Sequence, residues 1–130
     1  MNKTDLAYIA GFFDGEGCIC LGKDGKHIYL QVSASQTNEW IINWLRLSFG
    51  GGVSKKARKG RERQGWQWIV RGGKACMFLV EILPFLKLKR AEAELALQFQ
   101  GRRKGRGYRP TDKERAVDEA QRIMMSNLKK

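Results

Sequence analysis

Asp14 and Glu16, each followed by a glycine, stand at the end of the apolar run Tyr8, Ile9, Ala10, Gly11, Phe12 and Phe13. Carboxylate oxygens are what a hard divalent cation takes as ligands, and two of them brought together suit Mg²⁺. The run before them reads as a helix, because Leu6, Ile9, Ala10 and Phe13 recur at helical spacing. Ala10 and Gly11 put almost no side chain on it, so another helix can press close. Pairing two copies would bring two Glu16 carboxylates near each other, and a metal site would be complete only in the pair. An ordinary core helix with a glycine-rich stop would carry the same residues, so the rest of the chain decides.

The chain has 130 residues, enough for one compact core and short for two domains. Lys and Arg number 25 against 13 Asp and Glu, a formal charge of +12 that favours a polyanionic partner. Nucleic acid is the default candidate and a membrane surface the competing one. No apolar segment is long enough to span a bilayer and no N-terminal stretch has a signal-peptide layout. The expected setting is intracellular, wherever the nucleic-acid partner is, with organellar, bacterial and phage origins all open. Cys18, Cys20 and Cys76 are an odd set without metal-ligand spacing, which suits free thiols in a reducing compartment. His27 is the single histidine, so a hard metal is left with carboxylates.

The positioning elements follow from pattern. Asn2 or Thr4 can cap the first helix, which the glycines at 15 and 17 end by letting the backbone turn. A strand over Cys18–Lys23, a tight turn at Asp24-Gly25-Lys26 and a strand over His27–Ser35 make a hairpin. In the second strand Ile28, Leu30, Val32 and Ala34 alternate with Tyr29, Gln31, Ser33 and Ser35, one face apolar and the other rich in hydrogen-bonding groups. A helix over Glu39–Phe49 shows a broad apolar face of Trp40, Ile41, Trp44, Leu45 and Leu47. A second hairpin runs from Val53 to Arg71, with Trp66, Trp68 and Val70 assigned to the core and Gln67 and Arg71 to the polar face. Its tip holds Lys55, Lys56, Arg58, Lys59, Arg61 and Arg63, a charge density that calls for phosphates although a solvated turn is the plain alternative.

A third helix over Lys74–Leu83 stops at Pro84, and a fourth over Leu88–Phe99 carries Glu92, Ala93, Glu94 and Ala96 as a solvated face. The order is αββαββα, an α+β fold with a four-stranded antiparallel saddle sheet, helices on one face and the other free for a ligand. This domain fills residues 1–100. Residues 101–130 are a basic linker with Arg102, Arg103, Lys104, Arg106 and Arg109, then a helix capped by Thr111 whose apolar stripe is Ala116, Ala120, Ile123 and Met124. A DNA major groove laid on the free face would meet Cys18, Cys20, Lys23, His27, Tyr29, Gln31, Ser33, Gln67, Ile69 and Arg71, with Lys55, Lys56, Arg58 and Arg61 on phosphates.

Ile9 to Gly17 resembles the motif that names the LAGLIDADG homing endonucleases, with Glu16 at the place of the family's essential acid. Leu83 to Glu92, containing Pro84-Phe85-Leu86 and Lys89, resembles the family's C-terminal basic element and puts Lys89 at its catalytic lysine. The resemblance covers roughly residues 5 to 100. It implies a site-specific endonuclease that hydrolyses both strands of a long pseudo-palindromic DNA site as a homodimer, each subunit reading a half-site. The interface would lie on Ala10, Gly11 and Asp14, Asp14 being mainly structural. Metal ligands would be Glu16 and the Gly15 carbonyl for Mg²⁺, with Mn²⁺ as substitute. Lys89 would act on the phosphate, and Gln36 is the nearest match to a solvent-positioning glutamine, although an ungapped comparison puts Ala34 there. A single motif in the chain excludes a monomeric two-motif enzyme, and neither a membrane nor a small-molecule substrate is expected. The competing reading is a cleavage-inactive DNA- or RNA-binding protein of the same fold, a splicing cofactor or regulator.

Overall fold

In a computed structural model, which describes residues 1–103, 105 and 107–130, the chain forms α1 (Lys3–Glu16), β1 (Gly17–Asp24), β2 (His27–Gln36), α2 (Glu39–Phe49), β3 (Gly52–Lys55), β4 (Trp66–Arg71), α3 (Gly72–Ile82), a 3₁₀ turn (Leu83–Phe85), α4 (Arg90–Gly101) and α5 (Asp112–Leu128). The strands make one antiparallel sheet in the order β1-β2-β4-β3. The two hairpins thus meet through their second strands, with Gln31 opposite Arg71 and Ala34 opposite Trp68. Lys104 and Arg106 of the basic segment lie outside the described residues.

One face of the sheet is the core. Ile19, Leu21, Ile28, Leu30, Val32, Ala34, Trp68 and Val70 point to it and are buried under α1 to α4. Phe78 of α3 is its centre, meeting the rings of Phe13, Phe49 and Trp68 edge-on at 5.2, 4.8 and 5.0 Å, the geometry that aromatic quadrupoles favour. The buried indole of Trp68 donates to the Gly50 carbonyl at 2.8 Å, so its polar atom costs little. Gly51, with φ 89°, leaves no alternative residue there, since a Cβ would stand 2.5 Å from the Ile69 carbonyl oxygen.

α1 is capped by the Asn2 side chain, which accepts from the Asp5 amide. It passes into β1 without a loop. The glycines do not end it by unusual torsions: Gly17 has ordinary extended φ and ψ of −89° and 166°. Space demands glycine there, because a Cβ would fall 2.2 Å from the Phe13 ring. At the β1–β2 turn only Gly25 has positive φ, the pattern of a two-residue turn with glycine first.

Three helix faces differ from the sequence reading. On α2 the buried side is Ile41, Ile42 and Leu45, while Trp40 and Leu47 are 65% and 77% exposed. On α4 the expected solvated alanines, Ala93 and Ala96, are fully buried and let the helix approach closely. On α5 the expected stripe of Ala116, Ala120, Ile123 and Met124 faces solvent, and Asp118 and Met125 are buried instead. The reason is ionic. Asp118 accepts from Arg102 and Arg103 at 2.6 and 3.2 Å, and Arg103 also donates to the Ile28 carbonyl. The first arginines of the basic segment therefore dock α5 against α4 and β1. A buried acid paired twice has its desolvation offset, whereas an unpaired one would not.

Candidate active site and sheet surface

Asp14 and Glu16 are two residues apart and chemically divided by burial. Asp14 is 9% exposed, and its two carboxylate oxygens accept from the backbone amides of Lys87 and Lys89 at 2.8 and 3.0 Å. The Lys89 ammonium closes the loop by donating to the Asp14 carbonyl at 2.8 Å. Asp14 thus fastens the segment between the 3₁₀ turn and α4 to the tip of α1, and its oxygens are used up in doing so. Glu16 is exposed and has no hydrogen bond or ion pair among the described residues. It also sits at the C-terminal end of a helix, where the backbone dipole already favours a cation. Among the described residues no three His, Cys, Asp or Glu side chains gather as a metal group. One chain therefore offers one free carboxylate at the α1 tip, with the Gly15 carbonyl in the same turn, which fits a divalent ion completed by a second copy and does not fit a self-sufficient site.

Beside Glu16 opens a cleft of about 350 Å³ lined by Ser35, Gln36, Thr37, Lys56, Ala57, Arg58, Glu62, Arg63 and Gly65 as well as Glu16. The Gln36 side-chain oxygen Oε1 is occupied locally, accepting from the Thr37 amide and hydroxyl at 2.8 and 3.1 Å. Ala34, the other residue weighed for the glutamine's place, is buried in the core. A cation that no local pattern announces reaches the start of β1: Lys129, just past the end of α5, donates to the Cys18 sulfur at 3.5 Å. A hydrogen bond with Cys20 and the nearby Lys129 lower the Cys18 thiol to about 5, and the same Cys20–Cys18 bond with burial pushes Cys20 up. Burial raises Glu92, against the pull of Lys129 and Lys89.

The sheet's other face is open. Strand register puts Cys18 opposite Ser33, Cys20 opposite Gln31, Ser33 opposite Ile69 and Ser35 opposite Gln67 on it. Arg71 donates from Nε to the Gln31 side-chain oxygen Oε1 at 2.8 Å and lies 4.8 Å over the Tyr29 ring. Tyr29 in turn lies across Gly22, where a Cβ would meet its ring at 2.4 Å, and stacks with His27 at 6.0 Å. These contacts hold the polar side chains before any partner arrives, which lowers the entropy lost on binding.

Of the cations assigned to DNA, Lys23, expected on that face, lies elsewhere, and Lys55, expected on phosphates at the hairpin tip, ends β3. Lys23 shares the register side of Ile19 and Leu21 and pairs with Glu119 of α5 at 3.7 Å. Lys55 shares the side of Val53 and sits 5.5 Å over the Trp66 ring. The helix face expected for close packing is also rotated. Ala10 is fully buried in its own core, so the outward small residues of α1 are Ala7, Gly11 and Gly15, the glycines having nothing within 4 Å of a built Cβ. A depression of about 390 Å³ lies beside Gly11, walled by Ala7, Asp14, Pro84, Phe85, Leu86 and Lys87.

This arrangement has known counterparts. A single chain of the LAGLIDADG homing endonuclease I-SmaMI, bound to cleaved DNA, superposes on all of this chain and 47% of itself with a TM-score of 0.68 at 15% identity. Homing endonuclease I-CvuI, in complex with a DNA target, superposes on 97% of this chain and 82% of its own with a TM-score of 0.76 at 24% identity. The chain has the LAGLIDADG homing-endonuclease fold. It carries the fold in its single-motif form, spanning about half of I-SmaMI. In sequence it is 33% identical over 108 residues to the DNA endonuclease I-CvuI of Chlorella vulgaris, a match covering 75% of this chain and 65%, just under two thirds, of that relative. No protein-family model matches the chain.

Proposed function

We propose that this chain is a site-specific DNA endonuclease that works as a homodimer and hydrolyses one phosphodiester bond per subunit. The observation that carries the reading is the free Glu16 carboxylate at the exposed tip of α1, two residues beyond the Asp14 that holds Lys89 in place. The likeness to I-CvuI supports it, since that protein is a DNA endonuclease seen on a DNA target with 2 mM Mg, where the DNA is not cleaved, and on its own target with 2 mM Ca.

Two copies meeting along Ala7, Gly11 and Gly15 of α1 bring the Glu16 carboxylates together at a two-fold axis, and each open sheet face reads half of a pseudo-palindromic site. Gln31, Arg71, Tyr29, Ser33 and Gln67 offer donors and acceptors to base edges in the major groove. Mg²⁺, or Mn²⁺ in its place, would be held by Glu16 and the Gly15 carbonyl and would supply Lewis acidity toward water and the leaving oxygen. Lys89 steadies the negative charge that grows on the phosphate. Water adds to phosphorus, the bond to the 3′ oxygen breaks, and the products are a 5′-phosphate and a 3′-hydroxyl. Residues 1–100 do this work, with 101–130 as a docked appendage, in whichever compartment holds the host DNA.

Selection from a randomised duplex library tests the reading. Incubation with Mg²⁺ should enrich one family of pseudo-palindromic sequences among cleaved molecules, and incubation with EDTA should cleave none. Enrichment by binding with no cleavage at any divalent concentration would leave a binding protein in place of the enzyme.

A further inference from the structure

We propose that the cationic loop between β3 and β4 belongs to the active site, with Arg58 engaging the phosphate that is cut at Glu16. The proposal rests on the endonuclease reading and changes the part played by the loop, from an anchor on passive phosphates to a contributor to the rate.

Topology places the loop. β1 begins at Gly17, directly after Glu16, and Gly17 is opposite Ala34 of β2. Ala34 is opposite Trp68 of β4, Gln36 is opposite Trp66, and Trp66 is opposite Lys55 of β3. The start of β1, the end of β2 and the mouth of the β3–β4 hairpin therefore share one end of the sheet, the end at which α1 delivers its acid. The side chains agree, for Lys56, Arg58 and Arg63 line the same cleft as Glu16 and Gln36.

The base of the loop is held. The Lys56 amide donates to the Gly65 carbonyl at 2.9 Å, and the Gln64 side-chain amide donates to the carbonyls of Lys56 and Gly65 at 2.8 Å each. The tip turns at Gly60, with φ 59°. Arg58 is thus carried on a fixed stem toward the cleft and not on a free tether. Among the described residues Lys56, Arg58 and Arg63 have no ion pair, although two carboxylates, Glu16 and Glu62, line the cleft with them. Cations left unpaired beside acids suit an anion that arrives later.

Chemistry selects the phosphate at Glu16. Lys89 has one ammonium donor committed to the Asp14 carbonyl, and Gln36 has its oxygen committed to Thr37. The planar guanidinium of Arg58 can donate to two phosphate oxygens at once. Charge on those oxygens grows only at the phosphate that reacts, so a cation there stabilises the transition state more than the bound substrate. A cation on any other phosphate adds affinity alone.

The test is single-turnover cleavage with protein in excess over its selected site, beside affinity measured in EDTA. Arg58→Ala should cut about 100- to 1000-fold more slowly at saturating protein and saturating Mg²⁺, and Arg58→Lys should recover part of that loss. Arg58 is exposed, so the fold is not at stake. If Arg58→Ala cuts at the parental rate once saturated, with only its affinity reduced, the loop is an anchor and the proposal is overturned. If the parental protein itself cuts nothing, the endonuclease reading fails first and this inference falls with it.

Discussion

Replacing Asp14 by alanine removes the acceptor of two backbone amides and leaves the Lys89 ammonium on the residue-14 backbone carbonyl as the remaining hydrogen bond between the α1 tip and the segment that carries Lys89. Hydrogen bonds to a charged group contribute about 1.5–3 kcal/mol each, and the two here measure 2.8 and 3.0 Å. Lys87 is exposed and Lys89 half-buried, so water reaches the abandoned amides in part and the lower figure applies, about 3 kcal/mol in all. With a urea slope of about 1.5–2 kcal/mol per molar, the unfolding midpoint should fall by about 1.5–2 M, at fixed protein concentration because the proposed dimerisation would add to stability. Asp14→Asn keeps one acceptor and should lie between. Urea titration followed by tryptophan fluorescence reads both. A midpoint for Asp14→Ala within about 0.5 M of the parent would mean that the carboxylate does not fasten the Lys87–Lys89 segment to α1.

Gly17→Ala places a methyl group on the Phe13 ring in the middle of the core and should cost about 1–3 kcal/mol by overpacking, read in the same urea titration. A Cβ at Gly11 meets nothing within its own protomer, so sedimentation of Gly11→Leu should show a folded monomer where the parent sediments as the proposed dimer, with a cooperative thermal transition whose midpoint is lowered only by the lost association. Glu119 is drawn down to about 2 from 4.5 by its hydrogen bonds with Arg122, with Lys23 adding to the pull. A lowered acid stabilises the fold above its unfolded value and loses that effect as pH falls. The difference in thermal midpoint between the parent and Glu119→Gln should therefore be constant above about pH 4.5 and shrink between about 4.5 and 2, measured by circular dichroism.

What the sequence made legible depended on period. Strand alternation has only two answers per residue, and β2 and β4 alternate cleanly, so the open face with Gln31, Ser33, Gln67 and Arg71 could be drawn from the string alone. Helix faces have no such sharpness. Ala10 and Gly11 are adjacent and equally small, yet a turn of about 100° separates them, one into the core and one outward. On α5, apolar Ile123 and Met124 suggested the buried side, but a paired aspartate outweighed them, and Asp118 found its arginines across a segment that looked like a free linker. Lys23 and Lys55 carried the right charge for DNA, yet each sits one step along its strand from the open face. Lys129 was invisible for a different reason: it reaches Cys18 across the whole length of the chain. Asp14 and Glu16 carry the same chemical group, and only the family resemblance separated a mainly structural acid from a metal ligand in the string; the two distant amides that Asp14 accepts from supply the physical reason.

The direct test of the central claim is Glu16→Gln on the selected DNA site, with cleavage and affinity measured side by side in Mg²⁺. The substitution keeps the shape at the α1 tip and removes the one carboxylate there that is not already bonded. Double-strand cleavage should collapse while site-specific binding persists or tightens, as repulsion between carboxylate and phosphate is relieved. Cleavage by Glu16→Gln at near the parental rate would contradict the assignment of Glu16 as the metal-holding acid.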